Sequence, residues 1–118
     1  MVDNREEVYS ILSSLGFSVD YQYPKDFATF PCISYFDSGH SNDAYQDSKA
    51  DTDTVEITVD VWEREDTNTG KVKEIHFDVD NLMRKANFIK KMYTNLFEND
   101  TKIYHHIFKF TKIYEEVN

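Results

Sequence analysis

The chain has 118 residues, a formal net charge of −9 and a single cysteine, and 40% of its residues are hydrophobic. This length fits one domain over residues 1–118, and the 15% aromatic content excludes a disordered chain. The single cysteine excludes an internal disulfide. Because no apolar segment is long enough for a secretion signal or a membrane span, we expect a protein made in the cytosol with no membrane partner.

The N-terminal segment predicts a helix and then a strand. Four apolar residues recur at helical spacing: Val8, Ile11, Leu12 and Leu15. With Asp3 as an N-cap, they predict a helix over residues 4–15. Apolar and polar residues then alternate over residues 17–23, which predicts a strand that ends at Pro24.

A second strand and a long loop are predicted next. Pro31 opens the strand, which covers Cys32 to Phe36. The following stretch, Asp37 to Ala50, is polar and has almost nothing to bury, so it predicts a long mobile loop. We therefore expect trypsin to cleave the native protein first after Lys49.

Residues 55–62 form the clearest strand pattern in the chain. Four aliphatic residues, Val55, Ile57, Val59 and Val61, alternate with polar ones, as in a half-buried strand. A short polar turn over residues 63–70 then leads into a helical pattern over residues 69–86, so this strand and this helix share one core. For Trp62, on the opposite face, two interpretations stay open: it caps a core, or it anchors an interface.

The last third predicts two strands, over residues 88–97 and 102–114, around a turn at Glu98–Asp100. The element order is then helix, strand, strand, loop, strand, helix, strand, strand. This order predicts an α+β fold, with a mostly antiparallel sheet of about four to five strands and two helices packed on one face. The long mobile loop falls between the second and third strands.

Charge is spread unevenly along the chain. Residues 37–66 carry a net charge of −8, whereas residues 84–118 carry +3. A chain this acidic repels phosphate backbones, so we expect no specific nucleic-acid binding. The charges indicate either solubility or head-to-tail pairing of an acidic face with a basic face of the next copy. For that pairing, the predicted interface residues are Asp51, Asp53, Trp62, Glu63, Glu65, Lys90 and Lys91.

No catalytic, metal or cofactor site is predicted. His105 and His106 are adjacent, so on a strand they point to opposite faces and cannot share one metal ion. His76 and Asp80 are spaced for two ligands on a helix, but zinc needs three or four. A hydrolase built from scattered carboxylates stays an open alternative, although nothing marks an acid and base pair.

Two other patterns also favour structural roles. Asp47, Asp51 and Asp53 lack the glycine and the bidentate glutamate of a calcium loop. Cys32 has no basic neighbour in sequence to lower its pKa, which favours a buried thiol over a nucleophile.

Four stretches of the sequence resemble one protein family. They are residues 8–16, 30–35 (Phe-Pro-Cys-Ile-Ser-Tyr), 55–62 and 72–86. Their order is similar to that of the tail-completion or tail-terminator proteins of long-tailed bacteriophages and prophages. In that family an N-terminal helix comes first, followed by a strand pair with a proline before its second strand and then by a long loop. An alternating strand that ends in an aromatic residue, an amphipathic helix and a final strand pair complete the order.

The resemblance implies a structural virion protein without catalysis or cofactor, which caps the tail tube as a ring and offers a head-tail joining surface. Its partners would be the tail tube protein, the head connector proteins and other copies of itself. We expect a hexamer on assembly, whereas the free protein can remain monomeric. Its expected location is the host cytoplasm during assembly and then the virion tail. The alternative function is a small non-catalytic bacterial adaptor domain.

Overall fold

A computed structural model describes residues 1–44 and 50–117 of the protein, and this part of the chain contains two helices and five strands. They are α1 (Arg5–Ser13), β1 (Ser18–Tyr21), β2 (Cys32–Ala44), β3 (Ala50–Arg64), α2 (His76–Lys85), β4 (Ile89–Glu98) and β5 (Ile103–Val117). The strands form one sheet in the order β1-β2-β3-β5-β4, in which β1 and β2 are parallel and the other pairs are antiparallel. The predicted α+β fold class is confirmed.

The main core lies between one face of the sheet and both helices. The alternation along β3 turns its aliphatic residues towards the helices, and α1, α2, β2 and β5 complete the cluster. Its fully buried members include Val8, Leu12, Ile33, Val55, Ile57, Val59, Val61, Val79, Met83 and Phe110. Both helices therefore pack on the same face of the sheet, as predicted.

A smaller cluster covers the opposite face of the sheet. It consists of Cys32, Trp62 and Ile103, with Phe27 and Phe30 packed against them. Trp62 is only 8% exposed and its indole N–H donates to the Ser34 hydroxyl at 3.2 Å. Of the two interpretations of Trp62, the structure supports the core residue. Burial raises the pKa of the Cys32 thiol to about 11, with the charges of Asp20 and Asp26 adding to the effect. The predicted burial of this thiol is confirmed.

The prediction of a loop over residues 37–50 is wrong for most of that range. β2 continues to Ala44, where it lies opposite Asp51, and β5 pairs with β3 as far as Ala50. These strand ends form a three-stranded arm, in which β3 pairs through backbone hydrogen bonds with β2 on one side and with β5 on the other. Residues 45–49, and with them the expected cleavage after Lys49, lie outside the described residues.

The second helix is shorter than the predicted span of residues 69–86, because residues 65–72 fold back on themselves. Glu65 and Val72 form an antiparallel bridge, and Gly70 turns the chain with a φ of +69°. The first helix also starts differently, since Asn4 is its N-cap and Asp3 accepts the backbone N–H of Arg5 instead. The last two strands begin and end within three residues of the predicted limits.

The molecule is elongated, with extents of 62 × 24 × 23 Å, because the long antiparallel strands lie along one axis. Among the described residues, no helix has the length and apolar character needed to cross a bilayer. β4 lies at one border of the sheet, next to β5 alone. At the other border, β1 covers only the first four residues of β2, from Cys32 to Tyr35.

Candidate functional site

Three titratable side chains meet where β3 ends and α2 begins. They are Glu63 on β3, His76 at the start of α2, and His106 on β5. One carboxylate oxygen and one ring nitrogen from each histidine all lie within 4.8 Å of one another. The Glu63 side chain is 1% exposed, and both imidazoles are largely buried.

Strand register explains why these residues converge. Glu63 follows Val61 on the helix-facing side of β3, since alternate residues share a face. His106 lies opposite Val61 in the register of β3 and β5, which turns it to the same side. α2 then begins above this end of the sheet, and its first residue is His76.

The Glu63 carboxylate accepts hydrogen bonds from both histidines and from the start of α2. Its Oε2 accepts the backbone N–H groups of Ile75 at 2.7 Å and His76 at 3.0 Å, and also the His76 Nδ1 proton at 3.0 Å. Its Oε1 accepts the His106 Nε2 proton at 2.9 Å. The carboxylate thus serves as the side-chain acceptor at the N-terminus of α2, where negative charge is favoured.

The network extends from His106 to the border strand. A neutral His106 ring with its proton on Nε2 accepts at Nδ1, which lies 2.7 Å from the Tyr93 hydroxyl that would donate to it. The Asn95 side-chain amide in turn donates to the Tyr93 oxygen at 3.2 Å. The rings of His76 and His106 stack with centroids 3.7 Å apart. Ring stacking and hydrogen bonds together therefore hold the two imidazoles in place.

The carboxyl group of Glu63 is held in its ionised form. Burial by itself would raise its pKa, but hydrogen bonds from His106, His76 and the backbone of Ile75 outweigh that effect and lower the pKa below the ordinary value of 4.5. The carboxylate therefore carries a negative charge at neutral pH, and this charge is almost entirely out of contact with water.

A cavity of about 430 Å³ opens beside this cluster. Its lining includes His76, Phe77, Tyr93 and His106. The ion pair between Lys90 and Asp80, at 3.0 Å, lies in the same lining. A larger groove, of about 790 Å³, lies along α1 and shares no residue with the cluster.

Three of the predicted interface residues are buried within the chain. Trp62 belongs to the small second cluster and Glu63 binds the two histidines. Asp53 is also fully buried and is contacted by the Asn42 amide and by the N-terminal ammonium group at 3.3 Å. The expectation that these side chains face a partner is corrected, because each is already enclosed by its own chain.

The other predicted interface residues lie at the surface or in the arm. Glu65, Lys90 and Lys91 are exposed. Asp51 lies in β3 opposite Ala44, in the three-stranded arm. Their contact with another copy stays a prediction.

The histidine predictions have mixed outcomes. His105 and His106 do face opposite sides of the sheet, since His105 stacks on Trp62 at 3.6 Å and bonds to Asp60 on the far face. His76 does not pair with Asp80, which binds Lys90 instead. The sequence reasoning missed the cluster of Glu63, His76 and His106. A usable signal was present, because Glu63 continues the alternation of the buried aliphatic residues of β3, and a buried acid requires partners.

The border strand β4 is the second feature of functional interest. All ten of its residues are exposed, and among them are Ile89, Met92, Leu96 and Phe97. Its outer backbone groups face no further strand in the described part of the chain. Natural sheets usually protect such a border with charges, proline or a covering segment, and Lys90 and Lys91 supply charge here. The exposed apolar side chains beside them nevertheless indicate a surface for another chain.

Searches with this sequence found no matching family model and no significant match among curated proteins. A function is therefore proposed from the fold, the open border and the charges.

Proposed function

We propose that this protein is a tail terminator, a non-catalytic virion protein that caps the tail tube of a long-tailed phage or prophage as a ring and joins it to the head. The observation that carries the proposal is the pair of unlike sheet borders in a fold with the element order of that family. Its partners are the tail tube protein, the head connector proteins and other copies of itself.

The two borders of the sheet differ in chemistry. The β4 border offers Leu96 and Phe97, about half exposed, together with Lys90 and Lys91. The other border is formed by β1 and by the part of β2 beyond it, and these strands carry Asp20, Asp37 and Asp43. Contact between unlike borders is heterologous, and repeated heterologous contact closes into a ring when the rotation between copies permits.

The expected strength of one such contact favours assembly on the tube end. Burying the exposed halves of Ile89, Leu96 and Phe97 contributes on the order of 1 kcal/mol each. Each surface ion pair adds about 0 to 1 kcal/mol. Because association costs about 4 kcal/mol or more, copies free in solution stay largely monomeric, and the tube end supplies the additional contacts.

The decisive experiment is deletion of the gene in the phage or prophage that carries it, with tails viewed by electron microscopy. We expect overlong tubes, or separate heads and tails. Normal tails joined to full heads would contradict the proposal. The open border would then favour the alternative function, a small non-catalytic adaptor domain.

Point variants then test the border itself. Leu96→Asp places a charge on β4 and is expected to fail in complementation, whereas Tyr9→Asp, at a similarly exposed tyrosine on α1, is the matched control. Charge exchange tests the pairing: Asp37→Lys, at an exposed position on the border part of β2, should weaken ring assembly and Lys91→Glu should restore part of it. Glu63 is unsuitable for this exchange because it is buried.

A further inference from the structure

The cluster of Glu63, His76 and His106 has the composition of a transition-metal site. Two imidazole nitrogens and one carboxylate oxygen are ligands that zinc accepts, and protein sites with three such ligands leave a fourth position open. The three residues come from β3, α2 and β5. A bound ion would therefore join three separate elements of the fold.

The distances fit an ion at the centre of the cluster. In a tetrahedral site with zinc bonds of about 2.0–2.1 Å, neighbouring ligand atoms lie about 3.3 Å apart. Here His76 Nδ1 lies 3.2 and 3.0 Å from the two Glu63 oxygens, and His106 Nε2 lies 2.9 Å from Oε1. All three ligand atoms lie within 4.8 Å of one another, and a rotation of the imidazoles out of their stacked arrangement would aim both ring nitrogens at one ion.

We propose that Glu63, His76 and His106 bind one zinc ion, with the fourth position open to the adjoining cavity and occupied by water. An all-oxygen site would suit magnesium or calcium, but two nitrogen ligands favour zinc. The ion fixes the start of α2 to the end of the sheet, beside the β4 border.

Besides this movement of the rings, zinc binding requires a change of tautomer in each neutral imidazole. His106 moves its proton from Nε2 to Nδ1, where the Tyr93 oxygen accepts it. His76 moves its proton from Nδ1 to Nε2, and Nδ1 becomes the ligand. No net proton is lost from neutral rings. Tyr93, held by Asn95, then acts as a positioning residue for a ligating histidine.

The test begins with the full chain, purified and dialysed against a chelator, then titrated with zinc by calorimetry and with cobalt by absorbance. We expect one ion per chain, the intense visible absorption of tetrahedral cobalt, and a thermal midpoint that rises with zinc and not with magnesium. His76→Gln and His106→Gln should each weaken zinc binding at least ~10-fold, and Tyr93→Phe should weaken it about 10-fold.

His105→Gln is the matched control, because His105 is the sequence neighbour of His106 but lies on the opposite face of the sheet, bound to Asp60. It should bind zinc as the unmodified chain does. The proposal is overturned if the dialysed chain binds no zinc, if cobalt gives the weak absorption of an octahedral site, or if the His76 and His106 variants bind as well as the control. Should either variant fail to fold, the cobalt spectrum and the zinc-dependent midpoint of the unmodified chain still decide.

Discussion

Replacing Glu63 tests whether one buried carboxylate organises the end of the sheet. In Glu63→Gln, the remaining carbonyl oxygen can still accept the backbone N–H groups at the start of α2, while the amide faces His106. The histidine bonds then lose their charged partner, which costs about 1 kcal/mol each and about 2 kcal/mol in total. Glu63→Ala leaves four donors without their acceptor and should cost about 4 kcal/mol or more.

The assay is urea unfolding in metal-free buffer at pH 7, followed by circular dichroism. The control is Glu65→Gln, the same change at an exposed position two residues away, for which we expect less than about 0.5 kcal/mol. Stability also depends on pH in a defined direction. Because the folded pKa of Glu63 is lowered, its contribution is complete above pH 4.5 and is lost as the pH falls through the lower, folded value.

The difference in unfolding free energy between the unmodified chain and Glu63→Gln should therefore narrow in acid. Equal urea midpoints for Glu63→Gln and Glu65→Gln at pH 7 would refute the role assigned to the carboxylate. If the difference in unfolding free energy between the unmodified chain and Glu63→Gln stays constant down to pH 2, the stabilisation does not come from the charge of Glu63.

Three more outcomes are expected. Trp62→Ala should lower the unfolding free energy by about 3–5 kcal/mol, because the side chain is buried. Phe97→Ala on β4 should change it by less than about 1 kcal/mol in the free protein. Equal losses for the two variants in urea unfolding would contradict the burial of Trp62. Cys32 should react with a thiol reagent only as the protein unfolds, and rapid labelling of the native chain would show an accessible thiolate. Binding to double-stranded DNA should be negligible by anisotropy at about 0.15 M salt, and a micromolar affinity that falls steeply with added salt would contradict the net repulsion.

The parts of the fold that the sequence predicts correctly are those with an apolar period. The aliphatic alternation from Val55 to Val61 locates the central strand, and the spacing of Val79 and Met83 locates the second helix. The arm escapes prediction because Asp37 to Ala44 carries little that is apolar. Its strands are held by backbone hydrogen bonds, which leave no trace in the choice of side chains.

The alternation along β3 indicates that Glu63 is buried, but the identity of its partners depends on strand register, which one sequence does not display. Glu63, His76 and His106 are separated by 13 and 30 positions along the chain, and only the register of β3 with β5 brings Glu63 and His106 to one side. The acids that follow Glu63 favour a polar turn, so Glu63 falls in the predicted turn instead of in the predicted strand. Its burial follows from the strand continuing to Arg64 with α2 packed above it.

In the three-stranded arm, the hydrogen bonds that maintain the structure come from the backbone, whereas the side chains determine the surface. Every amino acid except proline carries the backbone donor and acceptor that pair β2, β3 and β5, so most exposed positions along the arm tolerate substitution at little cost to folding. Related chains could thus diverge there while the helices and the sheet beneath them stay unchanged. Point mutations in an arm of this kind can therefore change what its surface binds, while the domain that carries the arm keeps its fold.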